Sequence, residues 1–297
     1  MNTTAPVRLD VLLLHNALVD LRSKLPVGRT MTGVEESLSL AAAILRHFFS
    51  EAWWNRWVMP ETAKPNFLRI DEFDQTRLDL TALRVIDLAE VLYNLQHVPG
   101  FDDCIAKMRN GDIEGTYAEL DLGRMLYLNQ VQFRYVVPQK VKGLDYDVEV
   151  EYPDGVIACA EAKCSIESTE LSANTIRNKL DRARQQLPPD RPGIVFVKMP
   201  PRWMDASEFL KTTIGVAQDF LRGTKRVVSV KFYVSPNSIE GGYLKQEHAY
   251  KEISNPNNNF GSGRNWNLFR QWDLPPEYNG MPPHWQRVLF FPDGKVR

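Results

Sequence analysis

The sequence predicts an α/β (α+β) protein, with a mixed central sheet flanked by helices and a helical N-terminal region ahead of it. Three observations carry this. Apolar residues recur at helical spacing up to about residue 110, helix-like and strand-like segments alternate from Asp112 onward, and 43% of the 297 residues are hydrophobic, enough for a proper core. The expected division is a helical region over 1–110, an α/β domain over 111–235 and a C-terminal extension over 236–297.

In the first region the periodic residues are Leu12, Leu13, Ala17 and Leu21, then Leu38, Leu40, Ala43, Ile44 and Phe48, then Leu83, Ile86, Leu88, Val91 and Leu95. Thr32 with Glu35 and Glu36 fits an N-terminal cap, and Val98-Pro99-Gly100 ends the third helix. The cluster AWWNRW at Ala52–Trp57 reads as packing anchors at a helix end before it reads as a nucleobase-stacking platform. In the second region a helix over 112–130 leads to a strand at 131–137, a hairpin over 145–165 and a helix near Ser172–Leu187. A strand at 194–200, a helix near Ala206–Leu221 and a strand at 227–235 follow. The extension is rich in Asn, Gly, Ser and Pro, most densely in SNPNNNFGSGRNW, and predicts a long mobile loop, with DNA contact as its functional alternative.

Charged residues make up 25% and nearly cancel to a net charge of -1, so any attraction to nucleic acid has to be local. Three scattered cysteines, Cys104, Cys159 and Cys164, fit neither a disulfide framework nor a zinc site, which makes a reducing, cytoplasmic setting the expectation. The N-terminal stretch lacks the pattern of a signal peptide, and no long apolar run predicts a membrane span. His15, His47, His97, His248 and His284 have no metal-ligand spacing, and neither glycine-rich stretch follows a strand and opens a helix, so no nucleotide cofactor is expected.

The chemistry concentrates in DYDVEVEYPDGVIACAEAKCS, Asp145–Ser165. A turn at Pro153-Asp154-Gly155 pairs Tyr152 with Val156, and counting outward sets Val150 opposite Ala158, Val148 opposite Ala160 and Tyr146 opposite Ala162 on one apolar face. The other face pairs Glu149 with Cys159, Asp147 with Glu161 and Asp145 with Lys163. Like charges directly opposite one another are destabilising. Exposure to solvent would screen Asp147 and Glu161, and a divalent cation would use them. Lys163 emerges beside Glu161, where a cation can stabilise charge building on a phosphate.

An acid in one strand, a hairpin, and Glu161-Ala162-Lys163 as E-x-K in the next resembles the PD-(D/E)xK, or restriction-endonuclease-like, nuclease superfamily. The element order over about residues 112–200 matches that fold's αβββαβ core. The resemblance implies phosphodiester hydrolysis with Mg2+ or Mn2+. Asp147 and Glu161 would be metal ligands, the Ala162 carbonyl a further one, and Lys163 would position or activate water. It also implies an additional metal-binding acid on the preceding helix, Glu119, and a glutamine beside the site on the following helix, Gln185 or Gln186, with Gln185 taken first. A bulge in the hairpin would hand the first-acid role to Asp145. The implied partner is nucleic acid, DNA in the first place, in roles such as restriction, repair or anti-phage defence. The alternative is a catalytically inactive nuclease-fold module serving as a nucleic-acid-binding or protein-interaction scaffold. In either case the N-terminal helical region is expected to offer a surface for a second copy or a protein partner.

The helix after the hairpin adds local support. Arg177, Lys179, Arg182 and Arg184 stand against Asp181 alone, a concentration that phosphate contacts need, while Ile176, Leu180, Ala183 and Leu187 form its packing stripe.

Overall fold

The computed structural model describes residues 8–31, 33–58, 68, 78–137, 139, 141, 143–166, 168–235, 237–240, 243–246, 249–261 and 263–267. The chain forms two compact units, one built from residues 1–97, 105–113 and 273–297, the other from residues 98–104 and 114–272.

The first unit holds α1 (Val11–Ser23), α2 (Gly33–Phe49), α3 (Glu51–Trp57), α4 (Leu78–Leu95) and the second half of α5 (Phe101–Arg109). The periodicity of α2 and α4 points inward as expected: Ile44, Phe48, Ile86, Leu88, Val91 and Leu95 have no exposed surface. Helix α1 departs from expectation. It buries Leu14 and Leu18, while Leu12 and Leu13 face outward. Its run of three leucines leaves the phase of the apolar stripe undetermined by spacing alone. Thr32, expected as a cap, lies outside the described residues. The tryptophans of α3 act as packing anchors. Trp53 stacks on Phe49 with ring centres 4.2 Å apart and donates its indole N–H to the Met108 carbonyl at 3.0 Å.

The second unit carries α6 (Ile113–Leu128), β1 (Gln132–Tyr135), β2 (Val148–Glu151), β3 (Ile157–Cys164), α7 (Ala173–Gln186), β4 (Gly193–Lys198), α8 (Phe209–Arg222) and β5 (Val227–Val234). A small hairpin of β6 (Asn237–Glu240) and β7 (Tyr243–Gln246) precedes β8 (Ala249–Ser254). The mixed six-stranded sheet runs β1-β2-β3-β4-β5-β8, parallel between β3, β4 and β5 and antiparallel elsewhere. Helices α7 and α8 cover one face through Ile176, Leu180, Ala183, Ala217 and Phe220, which meet Cys159, Val195, Val197, Val230 and Phe232. On the other face α6 is tied to the sheet through charge: Asp121 pairs with Arg124 and with Lys198 of β4, and Arg124 donates to the Tyr233 hydroxyl of β5 at 2.7 Å.

Part of the expected C-terminal extension belongs to the sheet. Strand β8 completes the sheet, pairing Lys231 with Glu252 and Tyr233 with Tyr250. The polar loop after it is held down rather than free. The Asn255 amide donates to the carbonyls of Thr224 and Val227, both at 2.8 Å, and the Asn258 amide to that of Asn255 at 2.7 Å. Its asparagines serve as ties to backbone carbonyls, a use that composition does not reveal. Farther on, Arg264 pairs with Asp154 at the tip of the β2–β3 hairpin, its guanidinium lying 4.8 Å from the Tyr152 ring and 4.5 Å from that of Trp266. Among the described residues no helix is long and apolar enough to cross a membrane.

Candidate active site

The β2–β3 hairpin forms in the expected register. Gly155 takes the left-handed conformation, φ +80°, and its N–H closes the turn onto the Tyr152 carbonyl at 2.8 Å. Val150 faces Ala158, Glu149 faces Cys159 and Val148 faces Ala160. The ladder then changes. The Asp147 N–H donates to the Ala160 carbonyl at 3.0 Å, so Asp147 and Val148 both address one residue of β3, which is a β-bulge. The expected ladder pair of Asp147 with Glu161 does not form. The Asp147 carboxylate instead accepts the Ala162 N–H at 2.8 Å.

The bulge has a second effect. Tyr146, expected on the apolar face opposite Ala162, is carried to the face of Cys159 and Glu149, and its hydroxyl donates to Glu149 at 2.6 Å. Glu149 also accepts from Arg134 at 2.7 Å and Arg191 at 3.0 Å; burial works against its charge, but these three hydrogen bonds prevail and hold its pKa below the usual range. Burial lifts the adjacent Cys159 thiol to about 11, so this cysteine is a packed, unreactive group.

Glu161 has no exposed surface. Lys163 donates to its Oε1, while its Oε2 is buried without a hydrogen-bond partner among the described residues. Burial, the nearby charge of Asp147 and, more weakly, that of Glu119 push its pKa well above the usual range, against the opposing pull of Lys163. Glu119 is itself buried on α6, with its Oε2 3.9 Å from the Cys104 sulfur. Asp121 belongs to a different network, ion-paired to Arg124 and Lys198, and Lys198 lies 4.3 Å from the centre of the Tyr117 ring. This buried network escapes sequence reading, since its members come from three elements.

Lys163 is also bound from α7, where the Gln186 Oε1 accepts its ammonium at 2.5 Å. The Gln186 Nε2 reaches back to the Asp145 carbonyl at 3.2 Å, joining the lysine to the loop before β2. Gln186 thus occupies the position expected first for Gln185, which stands exposed on the rim. The two glutamines, Gly143, Asp145, Lys163 and Arg182 line an open cavity of 570 Å³.

The cations of α7 do not act as one surface. Arg177 lies 3.8 Å from Asp219 of α8, and Arg184 pairs with Asp181 at 3.1 Å while its guanidinium stands 5.7 Å from the Phe220 ring. Lys179 donates to the Cys164 carbonyl; burial lowers its pKa, and Arg182 and Lys163 lower it further. Of the four, Arg182 is the one on the cavity lining.

Among the described residues no three His, Cys, Asp or Glu side chains are grouped so as to hold a metal ion by themselves. The donors still fit in kind. Mg2+ commonly takes one or two carboxylates and fills its shell with water and phosphate oxygens, and the unpartnered Oε2 of Glu161 is a buried acceptor of that type. Comparison with family models, with curated proteins and with solved structures returned no match.

Proposed function

We propose that the chain is a metal-dependent nuclease that hydrolyses phosphodiester bonds, in DNA in the first place. The observation that carries this reading is Glu161, a fully buried carboxylate with one oxygen on Lys163 and the other on no partner among the described residues, with the charge of Asp147 nearby and Lys163 itself on the lining of an open cavity. A buried acid at the charge-neighbour spacing of a second acid is costly without a cation, and perturbed acids of this kind gather at reactive sites. The order α6, β1, β2, β3, α7, β4 supports the same reading, because it matches the αβββαβ succession implied by the resemblance.

In this reading Asp147 and Glu161, with the Ala162 carbonyl, would hold Mg2+ or Mn2+, whose chemistry when bound is to neutralise phosphate charge and acidify a water molecule, and Glu119 would be a further buried acid nearby rather than a third ligand. Lys163, fixed by Gln186, orients the attacking water and stabilises the negative charge gathering on the phosphate oxygens. The water oxygen bonds to phosphorus, one ester P–O bond breaks and the leaving alkoxide takes a proton, giving a phosphate monoester and an alcohol. The test incubates linear, circular and single-stranded DNA, and RNA, with Mg2+ or Mn2+. Cleavage by the wild type that survives both Lys163→Ala and Glu161→Ala overturns the site assignment.

A second reading, an inactive nuclease-fold module, is favoured by one observation: the acids do not converge as a group of three. It predicts nucleic-acid or protein binding with no cleavage of any substrate and no Mg2+-dependent rise in Tm.

A further inference from the structure

We propose that Arg182, with Gln185 beside it, seats a phosphate that is held and not cut, the neighbour on the same strand of the phosphodiester presented to Glu161 and Lys163. The seat rests on the hydrolytic reading above and names a further part of its substrate. Arg182 lines the cavity together with Lys163, and it forms no hydrogen bond or ion pair with any described residue. The other arginines of α7 are engaged, Arg177 beside Asp219 and Arg184 on Asp181. Lys179 is turned to the Cys164 carbonyl. An unpartnered guanidinium on a cavity wall whose lining carries one acid, Asp145, attracts an anion.

The chemistry of the seat selects phosphate. A guanidinium offers paired N–H donors that match two phosphate oxygens, and the Gln185 amide adds a donor from the next turn of α7. Lys163 is already bound to Glu161 and Gln186. Arg182 lies four residues before Gln186, roughly 6 Å along the helix axis. That is close to the distance between successive phosphates of one strand, so a strand with one phosphate at Lys163 brings the next to Arg182.

The test titrates inorganic phosphate into the full chain without divalent metal, by calorimetry. Saturable binding by wild type is expected, with about tenfold weaker binding in Arg182→Ala, weakening in Gln185→Glu, and no change in Arg184→Ala. With Mg2+ present, the dinucleotide carrying a 5′-phosphate, pTpT, should show a lower KM than TpT, and Arg182→Ala should erase that difference. Equal phosphate affinity in wild type and Arg182→Ala, or equal loss in Arg184→Ala, overturns the seat. Cleavage that ignores Arg182 removes the seat and leaves the hydrolytic reading intact. Arg182-dependent phosphate binding with no cleavage of any substrate removes the hydrolytic reading instead.

Discussion

Glu161 has two oxygens in unlike surroundings, one on a lysine and one on nothing. Because folding raises its pKa, the folded state keeps this proton to higher pH than the unfolded chain does. The stability tied to it is therefore intact below the ordinary carboxylate range, about pH 4 to 5, and is lost as pH rises through the raised value. In metal-free protein, Glu161→Gln should raise Tm, with a gain that grows as pH rises above the ordinary carboxylate range; a gain independent of pH would refute the assigned titration. Mg2+ should raise the Tm of wild type and leave that of Glu161→Gln unchanged. Lys163→Ala should lower cleavage by roughly 10²- to 10⁴-fold with the fold retained, as judged by circular dichroism. The glutamine that holds this lysine was open to reading from helical phase. At roughly 100° per residue, Gln186 falls between Lys179 and Arg182 on one side of α7, Gln185 sits off that line, and Arg177 and Arg184 share the opposite side. Charge composition alone merges these positions into one basic surface.

The hairpin shows how far an element can be read and where reading ends. The turn residues and strict alternation determine the pairing from Glu151 to Val148, and the structure has that register. The bulge at Asp147 was not legible, because it depends on a side-chain acceptor: the carboxylate takes the Ala162 N–H. Asp147 thereby stays beside Glu161 without a ladder pairing, and Asp145 goes to the cavity lining. Asp147→Asn keeps an oxygen able to accept that N–H, so it should preserve stability better than Asp147→Ala while both lose cleavage; equal destabilisation of the two variants would speak against the bond. Helix α6 has its own constraint at Gly123, where an added Cβ would overlap the Tyr135 hydroxyl. Gly123→Ala should cost roughly 1–3 kcal/mol in denaturant unfolding, since either α6 or β1 must shift. The shift would also move Glu119, four residues earlier on the same helix.

At the scale of the whole chain, strand β8 escapes sequence reading because composition stands in poorly for tertiary ties. Segment 236–297 looked like an appendage, yet β8 closes the sheet edge beside β5 and brings Glu252 to the buried Lys231. Lys231 is fully enclosed, and burial lowers its pKa against the pull of Glu252. Glu252→Ala should destabilise by about 3–5 kcal/mol in denaturant unfolding, because a buried cation loses its partner, whereas Lys231→Met with Glu252→Leu should recover most of that loss. The alternation of helices and strands between residues 112 and 235, by contrast, is legible, because each element carries its own period. The tie between Arg264 and Asp154 spans 110 positions, and the bond from the Tyr152 hydroxyl to the Trp266 carbonyl spans 114. On a ribosome the hairpin bearing Asp147 and Glu161 therefore emerges long before the residues that clamp its tip. Its tip is clamped only once Arg264 and Trp266 have emerged, so a chain cut short before Arg264 would carry Asp147, Glu161 and Lys163 on an unclamped hairpin.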